Sequence, residues 1–293
     1  MSESNLLTTL KGLLPARFKK REAVVPVVRL SGVIGAATPL RPGLSLAGVA
    51  KLLDKAFATK NAKAVALVIN SPGGSPVQSR QIYLRIRHLA EEKKLPVLVF
   101  VEDVAASGGY MIALAGDEII ADPTSIVGSI GVVSGGFGFP ELLKKIGVER
   151  RVYTAGENKV ILDPFQPEKE GDIEYLKTLQ LEIHKVFIDM VKSRRGTLLT
   201  DEAPIFSGLF WTGQRGFELG LVDGLGDMRS EIKRRYGAKA RMELVSGGRG
   251  LLGRRTPGVA LGLSLDAGQI AATAVSGLAE TLEERALWSR FGL

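Results

Sequence analysis

"LPVLVFVEDVAASGGYMIALAGDEIIA", residues 95–121, carries the pattern that decides the fold. Its first eight residues, 95–102, are apolar except for the final Glu102 and are rich in β-branched side chains, which predicts a buried strand. The nine residues after Ser107 predict a short helix, and 117–122 predict another strand. Ser107 therefore lies where a strand turns into a helix, between small residues that leave room around its hydroxyl.

The same alternation extends through the first half of the chain. Segments 23–35 and 62–70 predict strands, whereas 45–58 and 76–94 show the spacing of amphipathic helices. Residues 129–133, "SIGVV", predict one more short strand. Strands that alternate with helices are typical of βαβ units, and apolar strands indicate a sheet covered on both faces. The prediction is an α/β fold built as a spiral of βαβ units.

A long amphipathic helix is predicted after this core, over 167–196, and two short helices with glycine-rich joints are predicted beyond it. We expect three parts: a basic N-terminal segment, 1–22, that is flexible or amphipathic; a main domain, 23–245; and a C-terminal appendage, 246–293. No signal peptide and no transmembrane run is evident in the sequence. We therefore expect a cytoplasmic location or a peripheral one at the inner membrane.

The amino-acid composition excludes several kinds of catalytic and metal-binding site. The 293 residues include no cysteine and two histidines, which excludes disulfides, thiolate catalysis and a three-histidine metal site. We expect no cofactor and no metal. The net charge of +8 favours contact with an anionic membrane surface. Nucleic acid is not an expected partner, because the basic residues are not interleaved with aromatic ones.

Two glycine-rich loops follow predicted strands: "NSPGGS", 70–75, and "AASGGY", 105–110. In open α/β sheets, sites form outside the carboxyl ends of the strands. Backbone N–H groups that meet there could form an oxyanion hole, with Gly73, Gly74 and Gly108 as candidate donors. The same glycines could equally serve only to make turns.

Ser107 needs a base to become a nucleophile. His88 and His184 both fall within predicted helices, which favours structural or surface roles for them. Lysine can replace histidine when burial lowers its pKa from the ordinary value of about 10.4. Lys159 lies in a loop with glycine, asparagine and proline, "TAGENKVILDPFQP". Judged by its position alone, Lys159 could be an ordinary surface lysine instead of a general base.

Four segments together resemble the signal peptide peptidase A group of serine peptidases, family S49. They are "INSPGGSP", "VEDVAASGGYMIALAGDEIIADPTSIVGSIGV", "TAGENKVILDPFQP" and "FWTGQRGFELGLVDGLG", in the family's order. The resemblance covers roughly residues 25–236. The chain is similar to a half-length member, without a second catalytic-type repeat and without the N-terminal anchor that members commonly carry.

The resemblance implies roles for individual residues. Ser107 matches the nucleophile, Lys159 the general base and Ser129 a hydroxyl that orients the lysine amine, while Gly74 and Gly108 match the oxyanion-hole donors. It also implies a fold like that of ClpP and the crotonases, peptide substrates, and a homo-oligomeric ring or dome. The Ser/Lys dyad can then be completed between neighbouring subunits.

The sequence leaves two alternatives open on the same scaffold. A crotonase-type acyl-CoA enzyme would use the loops as an oxyanion hole for a thioester, without Ser107 or Lys159. A non-catalytic assembly protein would use the scaffold alone. Fold does not separate these functions. The joint presence of Ser107, Ser129, Lys159 and both loops favours a serine endopeptidase that cleaves signal peptides, other small peptides or unfolded segments.

Overall fold

A computed structural model describes residues 22–35, 43–246 and 285–293. These residues form an eight-stranded sheet in the order β6–β5–β3–β2–β1–β8, with β4 paired to β3 and β7 paired to β4. The strands are β1 Val24–Ser31, β2 Val65–Ser71, β3 Val97–Ala106, β4 Glu118–Ala121, β5 Ile126–Gly128, β6 Phe210–Thr212, β7 Gly224–Leu225 and β8 Arg241–Leu244. The pairings are parallel except that of β5 with β6.

Helices lie between the strands. They are α1 Leu46–Phe57, α2 Pro76–Lys93, α3 Gly108–Ala113, α4 Pro140–Lys145, α5 Glu170–Arg195, α6 Gly213–Glu218 and α7 Met228–Tyr236. Helix α2 begins where the sequence provides a serine N-cap, since the Ser75 hydroxyl accepts from the Gln78 N–H, and a proline follows at the first helical position. The predicted α/β class, with a long helix after the core, is confirmed.

The sheet is buried on both faces. One face carries the larger apolar cluster, to which α1, α2 and α3 contribute side chains such as Leu53, Ile86 and Ile112. The other face packs against α7 through the fully buried Ile232. Strands covered on both sides explain the continuous apolar runs in the sequence.

The C-terminal end of α5 is attached to the core by arginines. Arg194 donates from Nε to the Leu114 carbonyl at 2.9 Å and from Nη2 to the Gly116 carbonyl at 2.6 Å, just beyond α3. Arg195 is buried and donates to the Asp223 carboxylate at 2.8 Å. These contacts join α5 to the end of α3 opposite Ser107.

Residues 132–169, which we call the arm, contrast with this core. The arm contains α4, none of whose residues is buried. Its large apolar side chains include Phe137, 75% exposed, and Tyr153, 90% exposed. The arm contacts itself: the Phe139 N–H donates to the Pro164 carbonyl at 2.7 Å, and the Phe139 and Phe165 ring centres are 5.5 Å apart.

One predicted strand is wrong. Residues 129–133 are not extended; the strand lies just before them, as β5. Gly128 and Ser129 have positive φ values of 101° and 54°, and this left-handed backbone ends the strand. The boundary matters because it places Ser129 in a turn.

Two predicted parts lie largely outside the described residues: the N-terminal segment, 1–22, and most of the appendage, 246–293. The proposed division into three parts therefore stays a prediction. Among the residues that the structure describes, no helix has the length and apolar character needed to cross a membrane.

Candidate active site

Ser107 lies at the turn that joins β3 to α3. Its backbone is strained, with φ 52° and ψ −120°. Its two neighbours in the chain, Ala106 and Gly108, are buried. Such a conformation costs about 1–3 kcal/mol and persists only where the surroundings impose it. The Ser107 N–H donates to the Gly128 carbonyl at 2.8 Å, and the Ser107 carbonyl accepts from the Met111 N–H at 2.9 Å. The strain presents a half-buried hydroxyl at the end of the sheet, as in strand-to-helix nucleophile turns.

The two glycine-rich loops meet at Ser107, as predicted from their place after neighbouring parallel strands. A Cβ built on Gly73 would lie 2.7 Å from the Ser107 Cβ and 3.0 Å from the Gly108 nitrogen. A side chain at Gly73 would therefore displace Ser107. Gly73 also has φ +107°, which favours glycine independently of the contact.

The Gly74 nitrogen lies close to Gly108. The Gly74 nitrogen lies 3.4 Å from the place that a Cβ on Gly108 would occupy. Ile34 donates to the Gly73 carbonyl, and Ser75 donates to the Ile34 carbonyl, so the Gly74 N–H points away from residue 34. The Gly108 N–H is the first of α3 and has no acceptor within the helix. Two donors beside one hydroxyl are the arrangement that an oxyanion requires.

Ser129 lies in a turn tied to the Ser107 turn. It is 5% exposed and has φ 54°, and its N–H donates to the Leu209 carbonyl at 2.8 Å. The preceding residue, Gly128, accepts the Ser107 N–H. The structure therefore places Ser129 next in the chain to Gly128, a direct hydrogen-bond partner of Ser107.

Lys159 lies on the exposed arm, and its backbone N–H donates to the Gly156 carbonyl at 3.2 Å. Within the described part of the chain, its side chain has no hydrogen-bond or ion-pair partner, so it makes no hydrogen bond with Ser107 or Ser129. The structure thus brings Gly74 and Gly108 to Ser107, with Ser129 in the adjoining turn, and leaves Lys159 unbonded to them.

Hydrogen bonds from buried polar side chains stabilise the backbone around Ser107. Tyr110, in α3, donates its hydroxyl to the Leu221 carbonyl at 2.7 Å, and burial raises the pKa of this phenol well above its ordinary range. The Ser71 hydroxyl donates to the Gly32 carbonyl at 2.7 Å and accepts the Gly73 N–H at 3.3 Å. Ser79, fully buried, donates to the Ser75 carbonyl at 2.7 Å and lies against Gly108.

Sequence reasoning missed these supporting serines, and it assigned His184 only a structural or surface role. Their partners are backbone carbonyls and amides, which leave no pattern of side-chain types in the sequence. His88 is on the surface, with 68% of its side chain exposed. His184, by contrast, contacts the Ile130 carbonyl.

Comparison with known proteins identifies the class. The profile of peptidase family S49 matches residues 89–240, just over half of the chain. A putative protease of Synechocystis sp. is 34% identical over 190 residues, covering 63% of this chain and 67% of that protein. A putative protease of Methanocaldococcus jannaschii is 36% identical over 183 residues, covering 62% of this chain and 58% of that protein.

The chain belongs to peptidase family S49. This confirms the resemblance drawn from the four segments. In the solved structures, a mutant of a membrane-bound stomatin-specific protease with a substrate peptide is 17% identical, with a TM-score of 0.46, covering 78% of this chain and 94% of that one.

Another relative has an unrelated name. A Brucella abortus protein named Na(+)/H(+) antiporter NhaA is 65% identical over 286 residues, which are 97% of this chain but 39% of that protein. The chain spans about two fifths of the length of that relative. The name therefore describes a protein more than twice as long as the segment that matches.

Proposed function

We propose that the chain is a serine endopeptidase with a Ser107/Lys159 dyad, acting on signal peptides, other small peptides or unfolded segments. One observation carries the proposal: the Gly73–Gly74 loop and Gly108 lie against a serine held in a strained strand-to-helix turn. A strained, half-buried serine with the Gly74 and Gly108 backbone close by fits acyl transfer. An acyl-CoA enzyme of the crotonase type would not need Ser107.

In the proposed reaction, Lys159 in its neutral form takes the proton from Ser107 as the oxygen attacks the peptide carbonyl. The Gly74 and Gly108 N–H groups donate to the oxyanion. The C–N bond then breaks, the leaving amine takes the proton from the lysine, and an acyl-enzyme remains. Water activated by the same lysine hydrolyses the ester and frees Ser107. Ser129 orients the lysine amine.

We also propose that the active form is a homo-oligomer in which the arm of one subunit brings Lys159 to Ser107 of its neighbour. The exposure of Lys159 supports this, since the dyad is not assembled within one chain. The arm also exposes large apolar side chains, as surfaces that bind other proteins do. They include Val133, Phe137, Ile146, Val148 and Tyr153.

For location, we propose a cytoplasmic protein or one in peripheral contact with the inner membrane. The net charge of +8 supports contact with anionic lipid. The Brucella relative supports the membrane surface too, because a closely similar segment occurs there within a protein named as an antiporter. No role for nucleic acid is proposed.

The test is cleavage of a broad set of fluorogenic peptides by the native chain and by Ser107→Ala and Lys159→Ala. Each variant should lose at least about 10³-fold in kcat while staying folded and assembled. Ser134→Ala and Lys145→Ala, both at exposed positions of the arm, are the matched controls and should keep native activity. If no peptide is cleaved, or if Lys159→Ala is as active as the native chain, the dyad is wrong.

The pH dependence gives a second test. A lysine accepts a proton only in its neutral form, so activity should rise with pH on the acid side of the profile. Activity with an acid optimum would contradict a lysine base.

A further inference from the structure

His184 makes a contact with the catalytic turn that the proposed mechanism does not use. It lies in the middle of α5, and its Nε2 is 3.0 Å from the carbonyl oxygen of Ile130, the residue that follows Ser129. We propose that His184 is a positioning residue, which fixes the Ser129 turn beside Ser107. The inference rests on the proposed peptidase function and assigns a further residue to that site.

The chemistry of the contact settles which atom carries the proton. A backbone carbonyl oxygen only accepts hydrogen bonds, so Nε2 of His184 must be the donor. The ring is therefore either the neutral tautomer with hydrogen on Nε2 or the imidazolium. The other neutral tautomer would place a lone pair against the Ile130 oxygen and break the contact.

The turn needs such a hydrogen bond because its backbone is strained. Gly128 and Ser129 both have positive φ, and a non-glycine residue in that region costs about 1–3 kcal/mol unless its surroundings impose it. Successive groups of the turn are held from different elements. Gly128 accepts from Ser107, Ser129 donates to the Leu209 carbonyl before β6, and Ile130 accepts from His184 on α5.

The surroundings of His184 show what could replace it. Lys177, Gln180, Leu181 and His184 lie on one face of α5 and, together with Val132, line an open cleft of about 230 Å³. Because the cleft is open, an apolar side chain at 184 would leave the Ile130 carbonyl to water, which is not held in place by α5 as the histidine ring is.

The contact also connects the two halves of the proposed site. Helix α5 follows the arm directly, so the arm that carries Lys159 leads into the helix whose His184 holds the Ser129 turn.

The experiment compares His184→Leu, His184→Gln and, as a matched control, His88→Leu at the other, exposed histidine. Leucine is of similar bulk but has no donor, whereas the glutamine amide can donate from about the same place as Nε2. We expect His184→Leu to lower kcat about 10- to 100-fold with KM within about twofold. His184→Gln should recover most of the loss, and His88→Leu should be native.

A double-mutant cycle with Ser129→Ala shows whether His184 acts through the turn. In the Ser129→Ala background, His184→Leu should cost much less than it does in the native chain, because the two effects share one path. Full additivity of the two losses would overturn the inference. So would a Gln variant as impaired as the Leu variant, or a Leu variant with native kcat.

Amide hydrogen exchange tests the same inference without activity. The Ser129 and Gly131 N–H groups should exchange about 5- to 10-fold faster in His184→Leu than in the native chain or in His88→Leu. Unchanged exchange would overturn the positioning role even if the peptidase function stands. Faster exchange in a chain that cleaves no peptide would show the reverse: the contact holds the turn, but the proposed function fails.

Discussion

The Ser107 turn and the arm are built in opposite ways. At the turn, the backbone is strained, the neighbouring residues are buried, and each strained residue is held by hydrogen bonds from several elements. The arm exposes its aromatic side chains and makes many of its contacts with itself. Strain can be kept only where a packed core imposes it, so Ser107 belongs to the core.

The difference shows which half of the proposed site has a fixed geometry in a single chain. Ser107, Gly74 and Gly108 have their places within the single chain. Lys159 lies on a surface whose apolar residues gain stability only when something covers them.

Among the substitutions that compare the arm with the core, the largest effect is expected from changing the arm's aromatic surface. Phe137→Asp with Tyr153→Asp should prevent assembly and lower activity about 30-fold or more, since buried aromatic residues contribute most at interfaces. Sedimentation and peptide cleavage measure both effects. The thermal unfolding of the core should stay native, and a fully active variant that remains assembled would refute the arm's role.

Two glycines, one in each region, show how tightly the backbone is packed there. A Cβ on Gly109 would lie 2.5 Å from the Ser71 carbonyl oxygen, whereas one on Gly136 would meet no atom within 4 Å. Gly109→Ala should therefore destabilise the chain by about 1–3 kcal/mol. Gly136→Ala should stay within about 0.5 kcal/mol of native. Denaturant unfolding measures both, and equal stabilities would show that the core turn is not tightly packed.

Two tyrosines, one in each region, show how much a hydroxyl group contributes to stability. Tyr110→Phe leaves the buried Leu221 carbonyl without its donor and should cost about 1–3 kcal/mol. Tyr153→Phe keeps an exposed ring and should be neutral. Because burial raises the pKa of Tyr110, its phenol should stay protonated at a pH where exposed tyrosines ionise, which absorbance titration detects. Ionisation of all tyrosines together would contradict this.

The smallest effect concerns an ion pair within the arm. The Arg150 guanidinium and the Phe165 N–H hold the pKa of Asp163 below its ordinary value. A lowered pKa in the folded state means that the pair stabilises the arm above about pH 3.9 and that this contribution is lost as pH falls through the lower, folded value. NMR titration should find the Asp163 pKa lowered in the native chain and nearer the ordinary value in Arg150→Gln. An Asp163 pKa that does not respond to Arg150→Gln would contradict the pairing.

The sequence predicted most accurately what depends on local pattern. The apolar runs of β1, β2 and β3 and the helices between them were recognisable because a buried parallel strand is apolar along its whole length. Strands β6, β7 and β8 have two to four residues and exist because of distant partners, so the local pattern did not indicate them. At 129–133 the apolar residues favoured a strand, but the positive φ of Ser129 does not allow one.

The candidate site divides in the same way. The convergence of the two glycine loops followed from their place at the ends of neighbouring strands. The exposed position of Lys159 could not be read from its loop sequence. The contact of His184 could not be predicted either, because its partner is a backbone carbonyl 54 residues away.

The central claim is that Ser107 of one subunit works with Lys159 of another. The direct measurement is the activity of Ser107→Ala and Lys159→Ala chains produced together, when each alone is inactive. If the dyad forms between neighbours, a random equal mixture should regain about one quarter of the native activity, since about that fraction of sites unites an intact serine with an intact lysine. Mixed assemblies that stay inactive would contradict the account.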